Sequence, residues 1–546
     1  MSRVPIAAGV VALAFITFFQ FPGHTWLQQD SQIYAPILEH LEDSSALHND
    51  VLVQRPHVSF TLYDEIALGL RRLTGLGFRE LLGAEQLLFR ALGIWGIFLM
   101  ATATGLGSLP AFLVAGIVSL GAMAIGPQVL TFEYEPIPRG FAVPLLLCAV
   151  GLAAHGRYVG AGVAATVSFL VHPPTVYPFW GLYFLLALRP TDPEVMKRRI
   201  YGLLCLLAGA VVLLVAARYQ AGAGESQVFF SRLTPLQIQL QHWRSAYLWV
   251  SVWGGPLAVH YLLICTLLGL SYWRIRQLLP STLLFFVAGL PVVGLLSLPV
   301  SYLLLERARW ALLPQFQPMR ALLFVVLMLQ FSAAVAAVWA AVKRRYVEAF
   351  GFFAAAYALP LLPRLDAIPD WRSAATLLLL AGMATIAMRL AARKGAWAGA
   401  LCATVLAGFW IAPVIGRVVN YPHLHSPELA QLSLWAKQST PRDSVFLFAD
   451  VPRSMETGIF RAEAYRAIYV DWKGGGQVNY LKELGEQWWF RWQQTLGLGF
   501  HPGDMQKYDA LGIHYVVLQP RSRLAGRTPL FENARYLAYP TRLPPQ

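Results

Sequence analysis

Charge is what this sequence has least of. Asp, Glu, Lys and Arg make up 13% of 546 residues, hydrophobic residues make up 57%, and mean hydropathy is +0.51. A soluble globular chain carries about 25% charged residues, so the shortage excludes that class and leaves a polytopic membrane protein. Cysteine is scarce too: Cys148, Cys205, Cys265 and Cys402 all fall in apolar runs. The polar C-terminal stretch has none, which excludes a disulfide framework there and makes the four small core hydrophobes. Also missing are a GxGxxG or P-loop fingerprint, a Ser-His-Asp triad, zinc-ligand spacing and any nucleic-acid module. Gly474, Gly475 and Gly476 have no Lys-Ser/Thr behind them and read as a loop. The net charge of +14 suits loops facing anionic headgroups and does not point to nucleic acid.

Long apolar runs are what the sequence has instead. Stretches of about 20 residues, enough to cross a core of roughly 30 Å, recur along the first 415 positions. Thirteen spans are expected, at roughly 4–21, 85–104, 107–125, 139–154, 158–172, 175–188, 200–217, 247–271, 281–304, 320–341, 346–363, 373–391 and 396–415. Those between 139 and 188 are short for a straight crossing, as re-entrant or broken helices would be. The first run lacks a small-x-small cleavage site and reads as a retained span. The compact basic loops RPTDPEVMKRR, YWRIR, KRR and RLAARK read as cytoplasmic, with the N-terminus inside. Arg55, Arg71, Arg72, Arg307, Arg309 and Arg320 lie on the other side, together with almost all loop acids. An odd number of spans then places residues 420–546 outside with the first loop, 22–84.

That tail changes character. PELAQLSLWAKQSTP reads as a helix, SVFLFAD and AIYVD as strands, VNYLKELGEQWWFRWQQTL and MQKYDALG as helices, and IHYVVLQ as a strand. Strands alternating with helices indicate a small α/β domain. The expected fold class is therefore mainly α: a polytopic helical membrane part over 1–415 and a C-terminal α/β extracytoplasmic domain over 420–546.

Four features on the outer side carry polar chemistry. Asp30, in WLQQDSQIY, falls just beyond the first span, where an ionisable group is a functional candidate; the bland reading is an N-cap. Behind it Tyr34, Ile37, Leu38 and Leu41 make one apolar helical face, and Leu62, Ile66, Leu70 and Leu73 a second. FEYEPIPRG supplies Glu133, Glu135 and Arg139. If extended, its two acids point the same way and with Asp30 could hold a divalent cation or divide the roles of base and stabiliser. A solvated loop with a Glu–Arg pair explains the same residues. His172, before Pro-Pro, either caps a helix end or donates to a phosphate or sugar hydroxyl. Arg307, Arg309 and Arg320 bracket ERARWALLPQFQPMRALLF, with Gln315 and Gln317 as companions; arginine suits bidentate phosphate contact, and ordinary headgroups would satisfy it too. In the tail, Arg461, Arg466, Lys473, Trp488, Trp489 and Arg491 mix basic and aromatic character, which core packing accounts for.

Together these features resemble the GT-C type of membrane glycosyltransferase, with about a dozen spans, two membrane-parallel helices in the first outer loop and an outer C-terminal domain. The tail pieces TPRDSVFLFAD, FRAEAYRAIYVDWK and EQWWFRW also resemble a domain of uncharacterised bacterial membrane proteins. The resemblance implies a bacterial inner-membrane enzyme that moves a sugar from a polyprenyl-phosphate donor to a glycan, lipid or protein acceptor. It implies Asp30 as catalytic base, Glu133 and Glu135 as supporting acids, and Arg320 at the donor phosphate. Arg139, His172, Arg307 and Tyr34 complete the candidate substrate-binding set. Gln32 stands where a DxD motif has its second acid, so a metal-independent base stands beside a cofactor of Mg or Mn on Asp30, Glu133 and Glu135. A lipid or glycan transporter and a non-catalytic scaffold are the rival readings. The first predicts charges buried mid-span and an internal repeat; the second predicts that Asp30 is dispensable.

Overall fold

An apolar run with no water to bond its backbone must satisfy its amides internally, and a helix does so within one segment. The computed structural model describes residues 3–54, 61–220, 230–391 and 398–542; Arg55 and part of the RLAARK loop lie outside the described residues. Each of the thirteen expected runs holds a helix. Among the described residues six helices are long and apolar enough to cross a membrane: Phe78–Ala103, Pro193–Gln220, Gly255–Ile275, Ser281–Arg307, Leu313–Val342 and Trp371–Leu390. The others are shorter, among them Pro138–Ala154, Tyr158–Val171 and Pro173–Leu188. Two of these start with proline in the first turn, where its missing N–H costs nothing.

Small residues set the spacing of the bundle. A Cβ on Gly96 would lie 2.4 Å from the backbone of Leu147 and Cys148, and one on Gly151 2.4 Å from the Gly96 carbonyl. Helices Phe78–Ala103 and Pro138–Ala154 therefore touch backbone to backbone, as small residues allow inside a membrane. Their contact fixes where the 131–137 loop emerges. A hairpin of β1 (Met123–Ala124) and β2 (Val129–Leu130) stands beside that loop.

The first loop carries helices Ser31–Glu42 and Tyr63–Thr74, the second closed by Gly75 in the left-handed region. The tail begins with helix Pro427–Ser439, capped by Ser426, whose side chain accepts from the Leu429 amide at 3.2 Å. Its strands are β3 (Val445–Phe448), β4 (Ala467–Ile468), β5 (Tyr515–Leu518), β6 (Phe531–Glu532) and β7 (Leu537–Pro540), in the order β4-β3-β5-β7-β6. The β3–β4 and β3–β5 pairs are parallel, and β7 runs antiparallel to β5 and β6. FRAEAYRA, read for its basic and aromatic character, belongs largely to helix Glu456–Ala464, and the helix expected from Val478 starts at Lys482 after a 3₁₀ turn.

Alternation along β3 divides the tail's apolar residues between two faces. Val445 and Leu447 join Trp488 and Trp492 in one cluster; Phe446 and Phe448 join Phe460 and, from the first loop, Leu27 and Ala35 in the other. The tail thus buries one sheet face partly against the first loop. Beside that seam lies a buried ion triad. Arg461 Nε donates to Asp50 Oδ2 at 2.6 Å, its Nη2 to Asp471 Oδ1 at 2.5 Å, and the Ile468 amide to Asp50 Oδ2 at 2.9 Å. The Arg461 and Asp50 side chains are both 0% exposed.

Arg461→Ala would strand two buried carboxylates, and removing one partner of a buried pair costs about 3–5 kcal/mol. The expected result is a lower thermal midpoint and faster proteolysis within 415–426, where the chain enters the tail. A variant as stable and as protease-resistant as wild type would show that the triad does not hold the tail in place.

Candidate functional site

Segments from six parts of the chain meet in a cavity of about 350 Å³ between bundle and tail. It is lined by Asp30 and Tyr34 of the first loop, by Glu133, Glu135 and Arg139, by His172, and by Arg320. Arg307 is not among them: it is exposed, with its guanidinium 5.1 Å from the Tyr302 ring centre. Gln315 and Gln317 are engaged elsewhere, donating to the Tyr480 carbonyl at 3.1 Å and the Tyr480 hydroxyl at 2.9 Å. The tail and the stretch before helix Gly255–Ile275 add wall residues that local sequence did not single out: Arg244, Tyr247, Trp472, Lys473, Gln477 and Tyr480. Lys473 carried a signal only as one of several tail cations.

The three carboxylates have different partners. Glu135 Oε1 accepts from the amides of Gln28 (2.7 Å) and Gln29 (2.8 Å) and from Ser31 Oγ (2.6 Å), and Oε2 accepts from the Ser31 amide (3.0 Å). Burial pushes its carboxyl up and so does Asp30, while the donors on Ser31 and Gln29 pull it down. Every one of these partners is a donor, but burial is the larger effect and holds its carboxyl above the usual range. Glu135 thereby fixes the turn on which Asp30 sits. Glu133 Oε1 accepts from Arg139 Nε at 2.7 Å, a buried pair. Its main-chain carbonyl accepts from Gln86 Nε2 at 2.8 Å and Arg90 Nη2 at 2.7 Å. The 131–137 loop is bent, not extended, and its two acids take separate roles.

Asp30 precedes helix Ser31–Glu42 but makes no side-chain cap bond. Its Oδ1 accepts from Lys473 Nζ at 2.5 Å, with 40% of the carboxylate side chain exposed against 8% of the lysine. Burial raises its carboxyl, but Lys473, Arg139 and Arg320 outweigh that and hold it below the usual carboxylate range. His172 Nδ1 lies 2.8 Å from Thr175 Oγ1; burial, with Arg139 and Arg320 nearby, pushes its imidazole well below 6.5. It is neutral and can donate one N–H without adding charge.

Gln32 is fully buried and faces away from this chemistry. Its Nε2 donates to the Leu27 carbonyl at 2.7 Å, and a Cβ on Gly458 would fall 2.2 Å from its Oε1. A carboxylate there would be pressed against the tail helix Glu456–Ala464. The three carboxylates are already engaged: Asp30 by Lys473, Glu133 by Arg139, and Glu135 by four N–H and O–H donors. Among the described residues no three His, Cys, Asp or Glu side chains form a metal-sized group.

Two cations are left over. Arg244 donates through Nε to the Trp472 carbonyl at 3.0 Å and lies 4.4 Å from the Trp472 ring centre. Arg320 lies 5.9 Å from the Tyr247 ring centre, and its buried Nε has no hydrogen-bond partner. Neither forms an ion pair among the described residues. A wall with unpaired guanidinium groups is suited to an anion with several oxygens. A separate apolar groove of about 310 Å³ runs past Val293, Leu296, Val300 and Phe316 to Pro318, in the 3₁₀ turn that carries Arg320.

No family model matches the chain, and no curated protein matches it in sequence. Solved structures align with it over most of its length. ArnT from Cupriavidus metallidurans in the apo state is 15% identical, over 100% of this chain and 99% of that one, at a TM-score of 0.49. The arabinofuranosyltransferase AftD from Mycobacteria is 16% identical, over 95% of this chain and 35% of that one, at 0.43. The Archaeoglobus fulgidus oligosaccharyltransferase in the apo form is 14% identical, over 94% and 69%, at 0.36. All three are membrane glycosyltransferases of the GT-C type. The likeness is in the course of the chain, and no residue role rests on it.

Proposed function

We propose that the protein is an integral-membrane glycosyltransferase of the bacterial inner membrane. In this reading it moves a sugar from a polyprenyl-phosphate donor to an acceptor hydroxyl on the extracytoplasmic side. The observation that carries the reading is the grouping of two guanidinium groups without ion pairs, Arg244 and Arg320, with the Asp30 carboxylate in one cavity. An apolar groove ends at Pro318, two residues from Arg320. A phosphate joined to a long hydrocarbon meets both needs at once: cations for its oxygens and an apolar surface for its first isoprene units.

The chemistry follows from the geometry. The acceptor oxygen bonds to the anomeric carbon as the bond from that carbon to the phosphate oxygen breaks, the electron pair leaving with the phosphate. Arg320 and Arg244 stabilise the charge that grows there. Asp30 takes the acceptor's proton, and a single displacement of this kind inverts the anomeric centre. Glu135 acts through Asp30 by fixing its turn. The Glu133–Arg139 pair and neutral His172 supply acceptors and donors for the sugar and acceptor hydroxyls.

Reconstituted protein offered a panel of radiolabelled polyprenyl-phosphate sugars is expected to pass label to an acceptor. Asp30→Asn is expected to lower kcat by about 10²- to 10⁴-fold, the range for a lost general base, with the donor KM little changed. Arg320→Ala raises the donor KM as well. Glu135→Gln, which cannot accept from all four donors, lowers kcat without moving the donor KM. Transfer continues in EDTA. Absence of transfer with every donor would remove the reading; full activity in Asp30→Asn would remove Asp30 from the chemistry; loss of activity in EDTA would reinstate a metal.

A further inference from the structure

The Lys473–Asp30 contact is not something a transfer reaction requires. An ammonium against a carboxylate stabilises its ionised form, which weakens it as a proton acceptor. The contact also joins residues 443 positions apart, one in the first loop and one in the tail.

The lysine's backbone is fixed on every side. Trp488 Nε1 donates to the Asp471 carbonyl at 2.8 Å, and Arg244 Nε donates to the Trp472 carbonyl. Asp471 Oδ1 accepts from Arg461 and from the Gly474 amide at 3.2 Å, and the Lys473 carbonyl accepts from the Gly476 amide at 2.9 Å. Beyond that anchored main chain the side chain is a four-carbon stem, 8% exposed, with a point charge at its end. It lines the same cavity as Arg244 and Arg320. An anion drawn to those two guanidinium groups therefore meets Lys473 as the third cation on the wall.

We propose that Lys473 is a donor-sensing positioning residue, paired with Asp30 in the resting protein and transferred to the donor's phosphate when the donor binds. This rests on the transferase reading and deepens it. No covalent bond forms or breaks and no proton moves in the exchange: the ammonium leaves one oxyanion for another. Asp30 keeps its negative charge and gains proton affinity only after the donor is seated. The tail thus makes the base ready in an order, donor first and acceptor second. Because Asp30 and the phosphate compete for one ammonium, the competition is reciprocal: neutralising Asp30 must tighten phosphate binding, and must do so through Lys473.

A double-mutant cycle on phosphate affinity tests this without relying on transfer. Polyprenyl phosphate binding to the full-length protein in nanodiscs is measured for wild type, Asp30→Asn, Lys473→Met and the double variant. Lys473→Met is expected to weaken binding about tenfold or more, as loss of a charged hydrogen bond does. Asp30→Asn is expected to tighten it, with a coupling of roughly fivefold or more that vanishes in the Lys473→Met background. Effects that add to within about twofold would show a lysine that stays on Asp30, and would overturn the proposal. If wild type binds no polyprenyl phosphate, the donor assignment fails, and the same four proteins titrated with inorganic pyrophosphate still give the coupling or its absence. Should Lys473→Met fail to fold, a cryo-EM structure of wild type with polyprenyl phosphate decides: Nζ on the phosphate supports the exchange, and Nζ still on Asp30 overturns it.

Discussion

One buried guanidinium holds the architecture together. Arg461 joins Asp50 of the first loop to Asp471 of the tail, and all three lose their water in doing so. Isolated charges in such a place would be untenable; as a triad they fix which part of the tail meets which part of the loop. Asp471 is two residues from Lys473, and Asp50 follows the helix that begins beside Asp30. The cavity wall is therefore a consequence of the triad: loosen it, and Lys473 no longer faces Asp30. The apolar seam formed by Leu27, Ala35, Phe446 and Phe460 supplies area, but area alone is tolerant of sliding, and the ion triad is not.

The carboxylates show how environment divides labour among like groups. Glu135 is spent on backbone amides and the Ser31 hydroxyl, Glu133 on a guanidinium, and Asp30 on an ammonium. Of the three, only Asp30 is held by a single ammonium that reaches it from the tail. Neighbouring charge sets a carboxylate's proton affinity, and on the exchange proposed above Asp30 is the one whose neighbour a ligand would change.

Much of this was legible in the sequence, because hydrophobic periodicity and run length are local signals. All thirteen apolar runs are helical, and Asp30, Glu133, Glu135, Arg139, His172, Arg320 and Tyr34 line one cavity although they come from separate loops. The misreadings have a common cause. Arg307 and Arg320 look alike in ERARWALLPQFQPMRALLF, and only the 3₁₀ turn at Pro318–Leu322 decides which one turns inward. Lys473, Arg244 and Tyr480 reach the cavity through contacts spanning hundreds of residues, and nothing near them in sequence encodes that. Two-residue strands such as β4 are set by pairing with β3, so AIYVD reads longer than it is.

The buried ionisable groups inside the helices bear on the choice between transfer and translocation. Arg90 donates to the carbonyls of Thr17 (2.5 Å), Gly23 (3.0 Å) and Glu133 (2.7 Å), stapling the end of the first helix to the 131–137 loop. Arg199 donates to the Leu186 carbonyl at 2.9 Å, and His260 Nδ1 accepts from the Leu365 amide at 3.0 Å. Each binds main chain at a helix end or a loop, and so holds neighbouring segments together. A conduction path needs groups that can exchange partners along its length. Here Lys473, Arg244 and Arg320 gather in one cavity, while Arg199 Nε and His260 Nε2 are buried without a hydrogen-bond partner elsewhere. On the transferase reading proposed above, that arrangement receives an anionic headgroup beside Asp30 and serves a reaction at the membrane surface.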